Sequence, residues 1–168
     1  MKIVYTGIES SGKSLLLSRQ AEKVRQRNIK WFKVTGLKRT MAFNSPMNPN
    51  FIKLIEDSNI NYLSFKNLDD ILYLEECDIF IDELIKYFPA SGSNSLTNEQ
   101  LHFITQGAKS GIHLWGASQD FSQVHKQFRL LVNEVYIRKP DSARGASAAH
   151  AFRYGNEHRS HAGRSWQA

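Results

Sequence analysis

The residues with the clearest chemical potential stand in one run near the start of the chain, Gly7-Ile8-Glu9-Ser10-Ser11-Gly12-Lys13-Ser14. The run matches G-x-x-x-x-G-K-[ST], the pattern of a phosphate-binding loop. In such a loop the glycines allow backbone N–H groups to turn toward phosphate oxygens, and the helix that follows adds its dipole. We therefore predict that residues 7–14, together with Leu15, bind a nucleotide. Lys13 is expected to bridge the terminal phosphates, and the Ser14 hydroxyl to reach Mg²⁺.

The segments on either side of this run are those that a phosphate-binding loop needs. Residues 2–6 are rich in β-branched and aromatic side chains, which predicts a short buried strand. Residues 14–28 place Leu17, Ala21 and Val24 on one face at helical spacing, which predicts a helix. The alternative is an ordinary glycine turn between a strand and a helix. The order of strand, loop and helix favours the phosphate-binding interpretation.

A second chemical motif lies in the run Cys77-Asp-Ile-Phe-Ile-Asp-Glu-Leu84, where an apolar segment ends in two acids. A buried parallel strand delivers such carboxylates to the carboxyl edge of its sheet. Beside a phosphate-binding loop this pattern indicates a Walker B motif. Asp82 is then expected to hold Mg²⁺ through water, and Glu83 to orient and deprotonate the attacking water. The alternative is a strand end followed by a solvated pair of acids.

The other periodic segments supply elements that could position these motifs. We predict strands at 30–35, 61–65, 112–119 and 134–138, helices at 51–57, 68–76 and 98–109, a loop at 37–49, and a short helix or loop at 120–128. Trp31, Phe32 and Trp115 are then expected in the core, and the alternative is that they are platforms on which nucleic-acid bases stack. The strand at 112–119 finishes on the polar pair Ser118-Gln119.

Composition is that of one soluble α/β domain, with 168 residues, 41% of them hydrophobic and 23% charged. The formal net charge is +6, and eight basic residues lie between Arg19 and Arg39 with only Glu22 opposing them. This balance permits an anionic polymer as partner, and a solvated helix face is the alternative. The single cysteine, Cys77, excludes a disulfide framework within this sequence and suits a reducing compartment. No apolar run approaches the roughly 20 residues of a membrane span.

The chain changes character after Arg138. Residues 140–168 are small, polar and basic, with few aliphatic side chains. We therefore expect a P-loop ATPase domain at 1–139 and a C-terminal tail at 140–168 that is loosely ordered or depends on a partner.

Four segments in order, GIESSGKS, IFIDELIKYFP, AKSGIHLWGASQD and VHKQFRLLVNEVYIRK, resemble the zonula occludens toxin family and the related filamentous-phage assembly ATPases. These belong to the FtsK/HerA group of DNA-pumping and packaging ATPases. The resemblance covers roughly residues 1–139. It implies an α/β P-loop NTPase fold of the additional-strand, RecA/FtsK-like type. In that fold a mostly parallel sheet is flanked by helices, and a further strand lies between the Walker A and Walker B strands.

The resemblance also implies roles for residues outside the two nucleotide motifs. Gln119 would lie at the γ-phosphate as a polar sensor, the alternative being an ordinary polar residue at a strand end. Members of the family act as rings, commonly hexamers, in which a basic residue reaches the neighbour's nucleotide. Lys109 and Arg129 are the candidates for this residue, and either could equally be a surface charge. ATP and Mg²⁺ are the implied cofactors.

Two departures from the family pattern shape the functional hypothesis. The sequence has no membrane span after the ATPase domain, and Ala90 follows Pro89 where an arginine is often expected. We therefore expect a Mg²⁺-dependent ATPase of the host cytoplasm that packages or translocates viral DNA, or drives virion assembly. A capsid or membrane-protein partner could attach it to the virion or a membrane. The alternatives are an assembly ATPase or nucleotide switch that does not act on DNA, and a small-molecule kinase such as a nucleoside kinase.

Overall fold

The computed structural model of the chain describes residues 1–90, 96–138 and 149–153, the last by backbone alone. Seven strands form one sheet: β1 (Lys2–Thr6), β2 (Thr40–Phe43), β3 (Asn61–Ser64), β4 (Cys77–Ile81), β5 (His113–Ser118), β6 (Glu134–Arg138) and β7 (Ala149–Arg153). The helices are α1 (Lys13–Thr35), α2 (Pro49–Glu56), α3 (Asn98–Gln106) and α4 (Lys126–Leu130). Short 3₁₀ turns lie at Leu68–Ile71, Leu84–Lys86 and Phe121–Gln123.

The strand order in the sheet is β3-β2-β4-β5-β1-β6-β7. The first six strands run parallel, and β7 pairs antiparallel with β6. β5 lies between β1, which leads into the phosphate-binding loop, and β4, which ends at the two acids. The expected additional strand between the Walker A and Walker B strands is therefore confirmed. We call the edge at which the parallel strands end the carboxyl edge, and the opposite one the amino edge.

Helices cover both faces of the sheet, which is why the central strands are buried on both sides. On one face, Leu17, Ala21 and Val24 of α1 belong to a core cluster with Phe80 and Trp115 of the sheet. On the other face a second cluster joins inward residues of the sheet to α3 and α4: Val4, Ile79, Ile81, Leu114, Phe103, Ile104 and Phe128. All five residues of β4 are buried. The acids that follow β4 are therefore carried by the most enclosed strand of the fold.

The first helix is longer than predicted. The strand expected at 30–35 is wrong, because α1 continues to Thr35. Gly36 caps the helix with a left-handed backbone, and its N–H donates to the Phe32 carbonyl at 2.8 Å. β-branched and aromatic residues favour strands only weakly, and here they continue the hydrogen-bonded turns of α1. The last turns of α1 extend into solvent, so Trp31 is 39% exposed and Val34 86% exposed. Trp31 is therefore not a core residue.

The second strand along the chain lies inside the segment predicted as a loop. β2 has only four residues, of which Met41, Ala42 and Phe43 are buried between β3 and β4. Pro46 and Pro49 come after it, and Pro49 opens α2 behind the N-cap Asn48. The helix predicted at 68–76 is also wrong in extent, since the structure has only the 3₁₀ turn Leu68–Ile71. A short run without alternating polarity gave no signal for β2.

Part of the predicted tail is described by the structure. β7 falls within 140–168, and its backbone pairs with β6. The other residues of that segment lie outside the described part of the chain, so the domain boundary at 139 stays a prediction. Among the described residues, no helix is both long enough and apolar enough to cross a membrane.

A buried ion network holds α1 against the sheet at the amino edge. Asp78 of β4 is fully buried and accepts hydrogen bonds from Arg27 at 2.5 Å, Asn28 at 2.7 Å and Arg39 at 3.1 Å. Burial alone would raise the pKa of Asp78, but a hydrogen bond with His113 and the two guanidinium groups outweigh it and lower the pKa to about 2. This network fixes the position of α1, and hence of the loop that precedes it.

Candidate active site

The phosphate-binding loop joins β1 to α1 at the carboxyl edge. Its backbone has left-handed conformations at Ser10 (φ 58) and Gly12 (φ 79). Lys13 folds back over the loop, and its Nζ donates to the carbonyls of Gly7 and Ile8 at 2.8 Å each. The Lys13 ammonium group is therefore held across the mouth of the loop by the loop itself.

The two predicted metal ligands lie side by side. The Ser14 hydroxyl at the start of α1 donates to Oδ2 of Asp82 at 2.9 Å, although 68 positions separate them in the chain. Oxygen ligands of this kind suit Mg²⁺, which keeps several waters and takes only one or two protein ligands. The structure thus brings the two motifs together at one point of the carboxyl edge.

Glu83 follows Asp82 in an unusual backbone conformation. Its φ of 69° and ψ of 67° are left-handed, a region that costs a residue with a side chain about 1–3 kcal/mol. The next residue, Leu84, is fully buried and packs over Gly116 of β5, where an added Cβ would lie 2.5 Å from Leu84 Cδ1. Gly116 therefore allows the chain to fold back over the sheet directly after Glu83.

Asn44, directly after β2, is a residue of the site that the sequence analysis missed. Its side-chain Oδ1 accepts from the Asp82 N–H at 2.8 Å, and its Nδ2 donates to the Asp82 carbonyl at 2.7 Å. A polar residue directly after a buried strand was the signal that identified Asp82. The same signal exists at Asn44, but it becomes visible only once β2 is recognised.

The predicted sensor lies at the same edge as the phosphate-binding loop. Gln119 follows β5 and is exposed, and its carbonyl accepts from the hydroxyl of Thr6, the last residue of β1, at 3.4 Å. Because the loop begins at the residue after Thr6, Gln119 is placed beside it.

The two basic candidates lie in different places. Arg129, on α4, is half-buried, and its Nε is buried without a hydrogen-bond partner among the described residues. Hydrogen bonds from Ser122 lower the pKa of Asp120, and the charge of Arg129 adds to this effect, so Arg129 lies near the carboxyl edge. Lys109 is exposed in the turn before β5, where the carbonyl of Ser110 accepts from the N–H of Glu76 at the amino edge. The structure therefore does not bring Lys109 to the loop of its own chain.

The residues of the loop fit a bound phosphate group. The Ser11 hydroxyl is buried within the loop and has no hydrogen-bond partner in the described part of the chain. Buried polar atoms nearly always have one, so a phosphate oxygen is a suitable acceptor here. Lys13 supplies the positive charge, and Ser14 with Asp82 supplies hard oxygen ligands for a divalent cation. This donor set fits a nucleoside triphosphate together with Mg²⁺.

The cavities of the described region can be compared with the position of the predicted nucleotide site. A cavity of about 190 Å³ adjoins the two predicted metal ligands and is lined by Ser14, Asp82, Phe43, Pro46 and Met47 among others. A larger groove, of about 580 Å³, shares no residue with the loop, Asp82 or Glu83. The phosphate chemistry is therefore located by the motifs and not by the volume of a concavity.

Comparison with solved structures identifies the fold. The N-terminal domain of zonular occludens toxin from Neisseria meningitidis superposes with a TM-score of 0.58 at 16% identity, over 92% of this chain and 93% of that one. The genome packaging NTPase B204 of Sulfolobus turreted icosahedral virus 2, in complex with ATPγS, superposes with a TM-score of 0.56 at 13% identity. The match covers 84% of this chain and 76% of B204. The flagellar accessory protein FlaH of Methanocaldococcus jannaschii superposes with a TM-score of 0.54 at 12% identity, and the match covers 91% of this chain and 77% of FlaH.

No protein-family model matches the sequence, and no curated protein sequence matches it. The likeness is therefore one of structure, and it agrees with the resemblance seen in the four sequence segments. The chain has the α/β P-loop NTPase fold that is shared with zonular occludens toxin and with a viral packaging NTPase.

Proposed function

We propose that this chain is a Mg²⁺-dependent ATPase that moves viral DNA or drives virion assembly. The observation that carries the proposal is the hydrogen bond between Ser14 and Asp82. It places the ends of both nucleotide motifs at one point beside the phosphate-binding loop. A glycine turn and an unrelated pair of acids would have no reason to meet in this way.

Each residue then has a definite part in hydrolysis. The loop amides and Lys13 bind the phosphates, and Gln119 orients the attacking water near the γ-phosphate. Glu83 accepts a proton from that water, as a general base placed directly after the metal ligand. When it is held by Ser14 and Asp82, Mg²⁺ would neutralise negative charge on the phosphate oxygens.

The viral and DNA-related part of the proposal has separate support. The fold is shared with a viral genome packaging NTPase, and the net charge of +6 suits an anionic polymer. We further propose that copies of the chain form a ring, in which Arg129 or Lys109 serves the nucleotide of a neighbour. Lys109 could act only in this way, because it lies at the amino edge of its own sheet.

The kinase alternative is less favoured. Small-molecule sites usually occupy about 300–1,000 Å³, whereas the cavity beside Ser14 and Asp82 measures about 190 Å³. This cavity is therefore smaller than the site of a nucleoside acceptor usually is. A nucleotide switch that acts on a capsid or membrane-protein partner remains as the alternative that the experiment separates.

The test is ATP turnover with Mg²⁺, measured without DNA and with single- or double-stranded DNA, for the native chain and the Glu83→Gln variant. We expect turnover to rise with DNA and to fall about 10²–10⁴-fold in Glu83→Gln, while ATP binding is kept. Glu75→Gln is the matched control, because Glu75 is exposed before β4 at the amino edge. It should hydrolyse ATP like the native chain.

The possible outcomes are distinct. Turnover that is indifferent to DNA would point to an assembly ATPase or a nucleotide switch. Normal hydrolysis by Glu83→Gln would remove Glu83 as the base. Failure of the native chain to bind or hydrolyse ATP would contradict the proposal as a whole.

A further inference from the structure

We propose that Asn44 is a positioning residue for hydrolysis, which fixes the orientation of Asp82 and Glu83 through its side-chain amide. The inference rests on the proposed ATPase function for its kinetic consequence. Its structural consequence, the backbone conformation of Glu83, can be measured without any activity. Asn44 itself lies behind the two acids and acts through them.

The carboxamide of Asn44 continues the β2–β4 ladder after β2 has ended. The paired registers of the two strands finish at Phe43 and Phe80. The backbone N–H of Asn44 then donates to the Phe80 carbonyl at 3.2 Å. Two residues after Phe80, just beyond β4, the side-chain amide of Asn44 accepts from the N–H of Asp82 at 2.8 Å and donates to its carbonyl at 2.7 Å. One side chain therefore replaces a whole peptide group as the partner of Asp82.

This double contact requires an asparagine. A carboxamide of this length offers one acceptor and one donor in a single plane. Aspartate at this position would keep the acceptor and lose the donor, and alanine would lose both. Asn44 and Asp82 are both half-buried, so water has only limited access to replace the lost partner. The two hydrogen bonds therefore hold the Asp82 peptide in one orientation.

The orientation of Asp82 determines that of Glu83. A left-handed residue with a side chain persists only where its surroundings impose that conformation. On one side of Glu83 the Asn44 amide holds Asp82, and on the other side Leu84 is packed over Gly116. Glu83 is fixed between these two points with φ at 69°. Without Asn44, the peptide between Asp82 and Glu83 is free to relax, and the Glu83 carboxylate moves with it.

The kinetic test compares Asn44→Ala and the nearly isosteric Asn44→Asp with the native chain. We expect kcat to fall about 10–100-fold in both variants, because misplacement of a catalytic group by about 1 Å has an effect of that size. KM for Mg·ATP should rise by a smaller factor than kcat falls, because Asn44 bonds to the backbone of Asp82 and not to the carboxylate that meets Ser14. A loss that lies mainly in kcat is the signature of a positioning residue.

Asn133→Ala is the matched control. The Asn133 side chain accepts from the Lys2 N–H at 2.7 Å, and the backbone N–H of Asn133 donates to the Lys2 carbonyl at 2.9 Å. It therefore also holds the end of a central strand, but at the amino edge. Its kcat should equal that of the native chain. If Asn44→Ala and Asn44→Asp keep a native kcat, or lose no more than Asn133→Ala does, the inference is overturned.

A stability cycle tests the same inference without catalysis. In the native background, Glu83→Gly should be more stable to urea than Glu83→Ala, because glycine adopts the left-handed conformation without strain. In the Asn44→Ala background this difference should disappear, since the backbone has already relaxed. An undiminished difference there would overturn the inference even if the native chain proved inactive. Inactivity of the native chain would itself contradict only the proposed function.

Discussion

Glu83 combines the expected chemistry of a base with a backbone conformation that disfavours its own side chain. The left-handed conformation is imposed from outside, by the hydrogen bonds of Asn44 to Asp82 and by the packing of Leu84. Strain of this kind collects where function needs a group in a particular place. The sequence motif alone predicts a carboxylate at position 83, but it does not predict the backbone strain that this residue carries.

At the residue scale, we predict that glutamate at position 83 lowers the stability of the protein but is required for hydrolysis. Glu83→Gly should exceed Glu83→Ala in free energy of unfolding by about 1 kcal/mol, because only glycine tolerates a φ of 69° without strain. Both variants should lose hydrolysis, because both lack the carboxylate. Urea unfolding followed by circular dichroism measures the difference. Equal stability of the two variants would show that residue 83 is not held in the left-handed region.

At the scale of elements, the turn after β4 depends on β5. Leu84 occupies the space that a side chain at position 116 would take, so β5 can carry only glycine there. The register pairs Gly116 with Ile81 on one side and with Val4 on the other. Gly116 therefore lies between the two nucleotide motifs and determines how closely the Walker B turn approaches the sheet.

We predict that Gly116→Ala destabilises the protein by about 1–3 kcal/mol, through overpacking against Leu84. It should also lower kcat, because the displaced turn carries Glu83. Gly36→Ala is the control: Gly36 has a φ of 71° but no atom within 4 Å of an added Cβ. That variant should lose about 1 kcal/mol through backbone strain and keep its kcat. Thermal unfolding measures the loss of stability in both variants, and turnover assays measure their kcat. A native kcat in Gly116→Ala would contradict the prediction.

At the scale of the whole molecule, the site and the main buried ion network occupy opposite edges of the sheet. Asp78 holds α1 at the amino edge, while the phosphate-binding loop opens the same helix at the carboxyl edge. Because α1 is held to β4 at Arg27 and Asn28, the loop at its N-terminus keeps a constant relation to β4. The network therefore stabilises the whole fold without taking part in the chemistry.

We predict that this network makes the protein sensitive to acid. The pKa of Asp78 in the folded protein is about 2, below the ordinary value of 3.8, so its contribution is complete above about pH 4 and is lost as the pH falls toward 2. The contribution should amount to about 2 kcal/mol of the free energy of unfolding. Urea unfolding at a series of pH values measures it.

Asp78→Asn should remove this acid-dependent part and also cost about 3–5 kcal/mol at neutral pH, because the arginines lose the charge of their buried partner. The exposed Asp57 provides the control, and Asp57→Asn should unfold like the native chain at every pH. An unchanged pH profile in Asp78→Asn would contradict the assignment of the acid sensitivity to this network.

The sequence by itself predicted the nucleotide chemistry that we propose. The glycine loop, Lys13 and the acids that end an apolar run are local patterns, because each depends on neighbours within a few residues. The additional strand and the fold class followed from the order of four family-like segments, and the topology confirms both. The placement of Ser14 beside Asp82 agrees with the same patterns, since parallel strands all end at one edge.

Only the tertiary structure decided the features that depend on partners distant in the chain. Residues 30–35 continue α1 in spite of their strand propensity, and four residues at 40–43 form a strand because β3 and β4 enclose them. The role of Asn44 and the left-handed Glu83 follow from that short strand. Local propensity is worth only tenths of a kcal/mol per residue, whereas burial and pairing with another strand are worth more, so tertiary contacts override it.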